Sequence, residues 1–345
     1  MVAVAVCLGC GWGLHLNAPN SDDWVITQED ESDSATVEDF AQPPYRRIRR
    51  KAGSYEFTFG FLSFRRDPLQ VRFELDSKIV DQSDMEFGYT EQGLKNIDVW
   101  YQNARRSLAQ EAKDDSGAVR VTAKTQQELN RKIAEIKASR QSAQAVLDKK
   151  LQELEDEYER KRQEYFESRG FKLLPENKIS ASIPWLVGKN WRRLMPVAVA
   201  FERVRAEHNY DSQDVVGAAL AMVQTALDYR VPPREEANRR LGGVLPPMTA
   251  LARGWGDCDT KTAALASILL NWDQVDIVGV GLPGHYLMAI QDIPDRGEAY
   301  VEYRGLNYVL IEPAGPRWSA PGEVSDETLA KLNLASGVSI EPFLN

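Results

Sequence analysis

Apolar and polar positions alternate in the part of the chain between residues 54 and 76. The apolar positions fall into two runs separated by Asp67-Pro68, namely Tyr55, Phe57, Phe59 and Phe61, and then Val71, Phe73 and Leu75. A period of two is typical of a strand that buries one face. The pattern therefore predicts an antiparallel hairpin whose aromatic face packs on a partner.

A basic run precedes this hairpin and consists of Arg46, Arg47, Arg49, Arg50 and Lys51. Five like charges favour contact with water, with a membrane surface or with nucleic acid. Because the run is short and follows an acidic stretch, we predict a solvated strand edge.

Residues 92–170 change to a helical period. Apolar residues recur at spacings of three and four along two seams, Leu94–Leu108 and Leu129–Tyr165. Between Val119 and Arg169 there is no proline or glycine, so at 1.5 Å per residue the second seam predicts a rod of roughly 75 Å. We expect an antiparallel helical hairpin or coiled coil that ends at Gly170 and serves as a spacer or as a docking arm for a protein partner.

Beyond Pro175 the composition is that of a compact domain with helices and strands. Asp214–Arg230 has an apolar face with helical spacing, and Pro232-Pro233 ends this predicted helix. A second helix follows Gly254-Trp255-Gly256, and its predicted buried face consists of Ala264, Leu265, Ile268 and Leu269.

Cys258 falls at the predicted start of this second helix, where Asp257 or Asp259 provides the N-terminal cap. Unpaired backbone N–H groups and the helix dipole stabilise a thiolate at such a position. The two flanking carboxylates oppose this effect, so a cationic partner is needed. With such a partner we expect the pKa of the thiol to lie well below its usual value. The alternative is a packed, unreactive cysteine.

Two residues complete a catalytic set with Cys258. His285 begins a predicted strand after a turn, whereas His15 lies near the N-terminus and His208 in a polar helical segment. Glu312 ends a later predicted strand. Catalysis by a thiol needs a base beside it and a third group that orients the imidazole, and these three residues supply that set.

Three short motifs resemble those of the transglutaminase-like (papain-like) bacterial cysteine peptidase/amidase superfamily, over roughly residues 183–322. They are Gly256-Asp257-Cys258-Asp259, Gly284-His285 and Leu310-Ile311-Glu312-Pro313. The resemblance implies an α+β fold with a papain-like core, in which a helix-start cysteine packs on an antiparallel sheet that carries the histidine and the acid.

The resemblance also implies roles for individual residues. Cys258 is expected to be the nucleophile, His285 the base and Glu312 the orienting acid, although many members have aspartate at the third position. Val223–Tyr229 resembles a helix found in part of the family, which would make Gln224 a donor to the oxyanion. If Glu312 is not the orienting acid, Asp292 and Glu302 are the next candidates.

The expected activity is a thiol hydrolase, a peptidase or amidase that acts on a protein or peptide substrate through a thioester. One alternative is a transamidase that joins a glutamine side chain to an amine. Another is a non-catalytic interaction module in which residues 92–170 form the docking element. We expect no cofactor and see no metal-ligand spacing, while a calcium site stays open.

Composition narrows these possibilities. The chain has 345 residues, a formal net charge of −9 and a pI of about 5.1, which argue against a general nucleic-acid binder. Its three cysteines exclude a disulfide-built scaffold, and Cys258 stands alone in the globular part. No apolar run reaches the roughly 18–20 residues that span a bilayer.

The N-terminal residues favour export to the periplasm or cell envelope, with a cytoplasmic protein as the alternative. Residues 1–20 resemble a signal or lipoprotein leader, with Cys10 as a possible membrane tether, although no basic residue precedes the apolar run. Residues 21–42 form an acidic spacer. We therefore predict a leader (1–20), the spacer (21–42), a small β region (43–91), the helical arm (92–170) and a catalytic domain (176–345).

Overall fold

The computed structural model describes residues 42–115, 119–315, 317–334 and 337–344. The predicted leader, with Cys10, and almost the whole acidic spacer lie outside the described residues. The remainder is a mixed α+β structure with antiparallel sheets, which confirms the predicted fold class at that level.

The chain begins with a three-stranded antiparallel sheet in the order β1 (Tyr45–Lys51), β2 (Ser54–Leu62), β3 (Pro68–Asp76). The predicted hairpin is confirmed as β2 and β3, in which Phe57 pairs with Phe73 and Phe59 with Val71. Its aromatic face is buried in the core. Helix α1 (Ser77–Glu86) follows at once, and Asp76 caps it by accepting the N–H of Lys78.

The prediction of a solvated edge for the basic run is wrong for Arg46. Arg47, Arg49 and Arg50 are exposed, but the side chain of Arg46 is only 7% exposed. It donates to both carboxylate oxygens of Asp228, at 3.0 and 2.7 Å. Because side chains alternate along a strand, Arg46 lies on the inner face of β1 while its neighbours point outward.

The helical arm consists of α2 (Glu91–Asp115) and α3 (Gln126–Ser168), which pack antiparallel as predicted. The rings of Tyr101 and Tyr158 lie 4.5 Å apart, and the hydroxyl of Tyr158 donates to Asp98 at 2.7 Å. The long helix begins at Gln126 rather than near Val119, because the side chain of Thr125 accepts the N–H of Glu128 and caps it there.

The rest of the chain alternates helices with short strands. In chain order these are β4 (Phe171–Leu174), β5 (Lys178–Ala181), α4 (Ile183–Asn190), α5 (Met195–His208), α6 (Ser212–Thr225), β6 (Asp228–Tyr229), β7 (Glu235–Glu236), β8 (Arg239–Arg240), α7 (Pro247–Arg253), β9 (Trp255–Gly256), α8 (Cys258–Leu269), β10 (Ile277–Leu282), β11 (His285–Gln291), β12 (Tyr300–Tyr303), β13 (Leu306–Ile311), α9 (Asp326–Asn333) and β14 (Ser339–Pro342).

The helix predicted for Asp214–Arg230 is shorter than expected. It ends at Thr225, and the chain then forms β6, which runs parallel to β9. The N–H groups of Asp228 and Arg230 donate to the carbonyls of Gly254 and Gly256. These bonds to a distant segment replace the last helical turn, and helical periodicity alone does not reveal them.

A five-stranded antiparallel sheet in the order β12-β13-β11-β10-β14 supports α8, which lies against β11. One continuous hydrophobic cluster includes Phe57 of β2, Phe166 of α3, Phe201 of α5 and Met288 of β11. The predicted small β region and the predicted catalytic domain therefore share a core. None of the helices in the described part of the chain is long and apolar enough to cross a bilayer.

Candidate active site

Cys258 is the first residue of α8, as predicted. Gly254 ends α7 in the left-handed conformation (φ 74°), β9 leads back into the core, and Asp257 caps α8 by accepting the N–H of Thr260 at 3.1 Å. Nearly all of the helix after Cys258 is buried, including the predicted face from Ala264 to Leu269. The nucleophile candidate is thus held by a rigid, buried helix.

The electrostatic environment of the thiol differs from the prediction. Burial, followed by the carboxylates of Asp259 and Asp257, raises the pKa of Cys258 to about 12, although a backbone hydrogen bond from Tyr286 opposes the shift. The thiol donates to Oδ1 of Asp259 at 3.3 Å. The expected low pKa is therefore wrong for this state, because desolvation and two adjacent carboxylates outweigh the helix dipole.

His285 and Glu312 form a hydrogen-bonded pair. Gly284, in the left-handed conformation (φ 68°), turns the chain from β10 into β11, and His285 is the first residue of β11. The imidazole Nε2 lies 2.9 Å from Oε1 of Glu312, which directly follows β13. Since Nε2 is engaged, Nδ1 is the ring nitrogen left for a thiol or a water molecule.

Glu312 is itself fixed by the start of α9. Its carboxylate accepts the N–H of Ser325 at 2.8 Å and the hydroxyl of Thr328 at 2.9 Å, and the residue is only 6% exposed. Burial alone would raise the pKa of Glu312, but the hydrogen bonds from His285, Ser325 and Thr328 together lower it. The carboxylate is therefore ionised near neutral pH, and its negative charge stabilises a positive charge on the imidazole of His285.

Cys258 and the pair are brought to the same place through β11. Tyr286, next to His285, gives the backbone hydrogen bond to the thiol, and its carbonyl accepts the hydroxyl of Thr262 of α8 at 3.3 Å. The charge of His285 also acts on Asp259, whose pKa is raised by burial and lowered by the bond from Cys258 and by His285. Among the described residues, the imidazole makes no hydrogen bond with Sγ itself.

The predicted oxyanion role of Gln224 is contradicted. Its side chain is 1% exposed, and its Nε2 donates to the carbonyls of Glu312 at 2.9 Å and Ser319 at 3.0 Å. Its Oε1 accepts the N–H of Ser319 at 3.1 Å, which fixes the orientation of the amide. Both amide hydrogens are used, so Gln224 instead anchors the segment that carries Glu312.

The two reserve acids do not reach the imidazole. Asp292 accepts from Nε2 of Gln213 at 3.0 Å, and Glu302 is an exposed residue of β12. Glu312 is the acid that the structure places on His285.

A buried lysine lies behind this site and was missed in the sequence. Lys261 is fully buried, and its ammonium donates to the carbonyl of Leu227 at 2.7 Å. Its pKa is lowered to about 7, mainly by burial; the carboxylate of Asp228 opposes the shift and the cation of Arg46 contributes to it. Its only sequence signal is a lysine on the otherwise apolar face of α8.

Neither of the two cavities described next includes the three candidate residues, and the described residues form no cluster suited to a metal ion. Two cavities, of about 760 and about 900 Å³, are lined by residues other than Cys258, His285 and Glu312. In the described residues no group of three or more His, Cys, Asp or Glu side chains is placed to hold a metal ion.

A half-buried thiol at a helix start, a histidine at a strand start and a glutamate hydrogen-bonded to that histidine are thus assembled on α8, β11 and the end of β13. Catalysis of acyl transfer by a thiol uses groups of these three types, and the structure shows the hydrogen bond between the histidine and the acid. Comparisons with models of protein families, with curated proteins and with solved structures find no match to this chain.

Proposed function

We propose that this protein is a thiol hydrolase that cleaves peptide or amide bonds with Cys258, His285 and Glu312, on a papain-like, transglutaminase-type core. The observation that carries the proposal is the 2.9 Å bond between Nε2 of His285 and a buried Glu312. The same strand, β11, supplies the backbone hydrogen bond to the Cys258 thiol. A structural histidine would not need a desolvated carboxylate held by two further donors.

The reaction has two halves. Nδ1 of His285 takes the proton of the Cys258 thiol as Sγ attacks the carbonyl carbon, and the imidazolium then gives this proton to the departing amine. A water molecule next loses its proton to Nδ1 and attacks the thioester, which releases the acid and restores the thiol. The N–H of Thr260 is used by the Asp257 cap, and the backbone N–H groups of Cys258 and Asp259, which have no partner within the helix, suit the transient oxyanion.

The raised pKa of the thiol determines how the first half proceeds. A thiol whose pKa is about 12 is almost entirely protonated at pH 7. The proton must therefore move to His285 during the attack, rather than being transferred beforehand in a stable thiolate–imidazolium pair. Binding of a substrate that reorients the thiol away from Asp259 and towards Nδ1 would lower this barrier.

The same raised pKa favours a second candidate, a non-catalytic interaction module. In that case the Cys258 thiol stays bonded to Asp259 and the helical arm of α2 and α3 is the working part. Apolar residues of the arm remain partly exposed, including Ile133 at 38% and Val146 at 56%.

Acylation of the full chain by p-nitrophenyl acetate distinguishes the two functions. The hydrolase should release a burst of p-nitrophenol and carry an acetyl group on Cys258, detected by mass spectrometry of the digested protein. Cys258→Ala should abolish the burst, and His285→Ala should slow it sharply. His208→Ala is the matched control, because His208 is exposed at the end of α5.

Absence of acetyl on Cys258, or equal rates in the wild type and His285→Ala, would favour the non-catalytic module. Adding a primary amine tests the transamidase alternative, since a transferase should divert the acetyl group to the amine.

A further inference from the structure

A basic groove lies between the outward-facing polar side chains of the β1–β3 sheet and the exposed side of α5. Its volume is about 900 Å³. Two glutamates, Glu56 and Glu74, face six arginines in its lining, namely Arg47, Arg49, Arg72, Arg192, Arg193 and Arg203. The whole chain has a net charge of −9, so this groove is a local reversal of the overall charge.

Two separate parts of the fold supply the arginines. In β1, Arg47 and Arg49 point outward because Ile48 between them packs against the core. In register, Arg47 lies opposite Thr58 and Thr58 opposite Arg72, which makes one polar row across the sheet. The remaining arginines of the groove come from the turn before α5, which carries Arg192 and Arg193, and from the middle of α5, which carries Arg203.

Much of this positive charge is not neutralised within the described residues. Arg193 is paired with Glu86 at 2.9 Å, and Glu56 is engaged by Lys51 at 2.7 Å. Arg47, Arg49 and Arg203 have no carboxylate within ion-pair distance in the described part of the chain. Like charges held this close repel one another, so an anionic occupant lowers the energy of the groove.

The groove also has an apolar floor. Met195 and Val199 of α5 are about half exposed and lie beside Phe73 and Pro196 in the lining. The preferred occupant therefore combines carboxylates with apolar side chains, as an acidic polypeptide does.

Residues 21–39 of the same chain have this composition. They contain eight carboxylates and no lysine or arginine, together with Trp24-Val25-Ile26. The segment lies outside the described residues, and it is joined to β1, which carries Arg47 and Arg49, through residues 40–44 only. A covalent link this short gives a high effective concentration, so a modest affinity is sufficient.

We propose that the acidic segment Ser21–Asp39 binds in this basic groove, with its carboxylates on the arginines and its apolar residues on the floor. The proposal is independent of the hydrolase activity.

Photo-cross-linking of the full chain tests it. Trp24 is replaced by p-benzoylphenylalanine, the dilute protein is irradiated, and cross-linked peptides of the monomer are mapped by mass spectrometry. The expected products join residue 24 to β1–β3 or to residues 192–203. They should be lost in Arg47→Glu/Arg49→Glu and retained in the control Arg296→Glu/Arg304→Glu, whose arginines are exposed and lie outside the groove.

Two further measurements distinguish loss of binding from misfolding of the variant. Reversing the opposite charges, Asp30→Arg/Glu31→Arg, in the Arg47→Glu/Arg49→Glu background should restore the cross-link. In the wild type, raising the salt from about 0.05 to about 1 M should remove it, because the screening length shrinks from more than 10 Å to about 3 Å.

Cross-links spread over the surface, or located elsewhere in the wild type, would overturn the proposal. So would binding of phosphatidylglycerol vesicles or RNA by the wild type that is lost in Arg47→Glu/Arg49→Glu while residue 24 never cross-links to the groove. That result would assign the groove to an external polyanion instead.

Discussion

At the scale of single residues, Asp259 stands between two states of the Cys258 thiol. Its carboxylate accepts the thiol hydrogen at 3.3 Å, and its charge disfavours a thiolate beside it. His285 must compete with this acceptor for the proton. After burial, Asp259 is therefore the largest cause that keeps the thiol protonated.

Asp259→Asn should make Cys258 more reactive, because it removes the nearest negative charge and lowers the pKa of the thiol. Alkylation by iodoacetamide at pH 8 should be faster than in the wild type, and the pH profile of the rate should shift to lower pH. Asp273→Asn, an exposed loop substitution, should leave the profile unchanged. An unchanged profile in Asp259→Asn would show that burial alone holds the thiol protonated.

Glu312→Gln should keep the fold and lose activity, since the amide cannot balance an imidazolium charge. By analogy with measured triads, the loss in p-nitrophenyl acetate turnover should be on the order of 10²–10⁴, with Glu312→Asp retaining part of the rate. Glu323→Gln, at an exposed glutamate eleven residues further along, is the control. Wild-type turnover in Glu312→Ala would assign the orienting role to another acid.

Lys261 should make stability depend on pH in the alkaline range. Its pKa falls from 10.5 in the unfolded chain to about 7 in the folded one, so between these values the unfolded state binds the extra proton. Its contribution to the free energy of unfolding therefore rises with pH across this window, by about 3 to 5 kcal/mol in total.

Urea unfolding at pH 7 and pH 10 measures this contribution. The stability difference between the wild type and Lys261→Met should change over this range in favour of the wild type. Lys78→Met, at an exposed lysine of α1, should show a constant difference. A constant difference for Lys261→Met as well would mean that Lys261 is charged in the folded protein.

Local sequence signals placed Cys258, His285 and Glu312 correctly on a helix start, a strand start and a strand end, because caps and turns depend on neighbouring residues. The family resemblance gave the wrong role for Gln224, whose amide donates to backbone carbonyls 88 and 95 residues further along the chain. Ser325 carries a recognisable capping pattern with Thr328, yet nothing in the sequence links that cap to Glu312. Contacts between distant segments therefore determine the pKa of Glu312, whereas burial and its own neighbours determine that of Cys258.

At the scale of elements, the errors concern the residues at which helices begin and end. Periodicity predicted the two arm helices and their antiparallel packing, but α3 starts at the Thr125 cap and α6 stops where β6 joins β9. The base of the arm, where α3 ends, packs into the main hydrophobic core, unlike a spacer that is merely appended. Phe166 near the end of α3 is fully buried, and its ring lies 5.0 Å from that of Tyr89.

Deletion of the outer arm, residues 99–157, should leave the stability of the rest unchanged, whereas a change at its base should lower it. Replacing residues 99–157 by a short glycine-serine linker should preserve the thermal unfolding of the remainder, because Asp98 and Tyr158 are already neighbours. Phe166→Ala should instead cost about 3–5 kcal/mol through the cavity it leaves. Circular dichroism and calorimetry of both variants measure this. Unfolding of the shortened protein would show that the outer arm belongs to the folding unit.

At the scale of the whole molecule, the β1–β3 sheet is joined to the candidate active site by a partly buried ion pair. Arg46 of β1 holds Asp228 at the start of β6, and β6 pairs with β9, which ends two residues before Cys258. A sequence-based division into a β region and a catalytic domain does not reveal this link, since residues 182 positions apart form it.

Arg46→Met should destabilise the protein and slow acylation of Cys258, because Asp228 loses both hydrogen bonds and β6 loses its anchor. Removing one partner of such a pair should cost roughly 1–3 kcal/mol, at the lower end since Asp228 is 40% exposed. Arg50→Met is the matched control, because its pair with Asp81 is 3.6 Å long and exposed. Equal effects of the two substitutions, in urea unfolding and in the burst rate, would contradict the link.

The protonated state of Cys258 also determines how the protein withstands oxidants. Peroxides attack a thiolate far faster than a thiol, so a cysteine whose proton stays in place until substrate arrives is consumed slowly. Cys258 is the free cysteine of the described residues, so no neighbouring thiol there can form a disulfide with it. If Cys258 is the nucleophile that we propose, its bound proton protects it from oxidation between turnovers and makes each attack on a substrate slower.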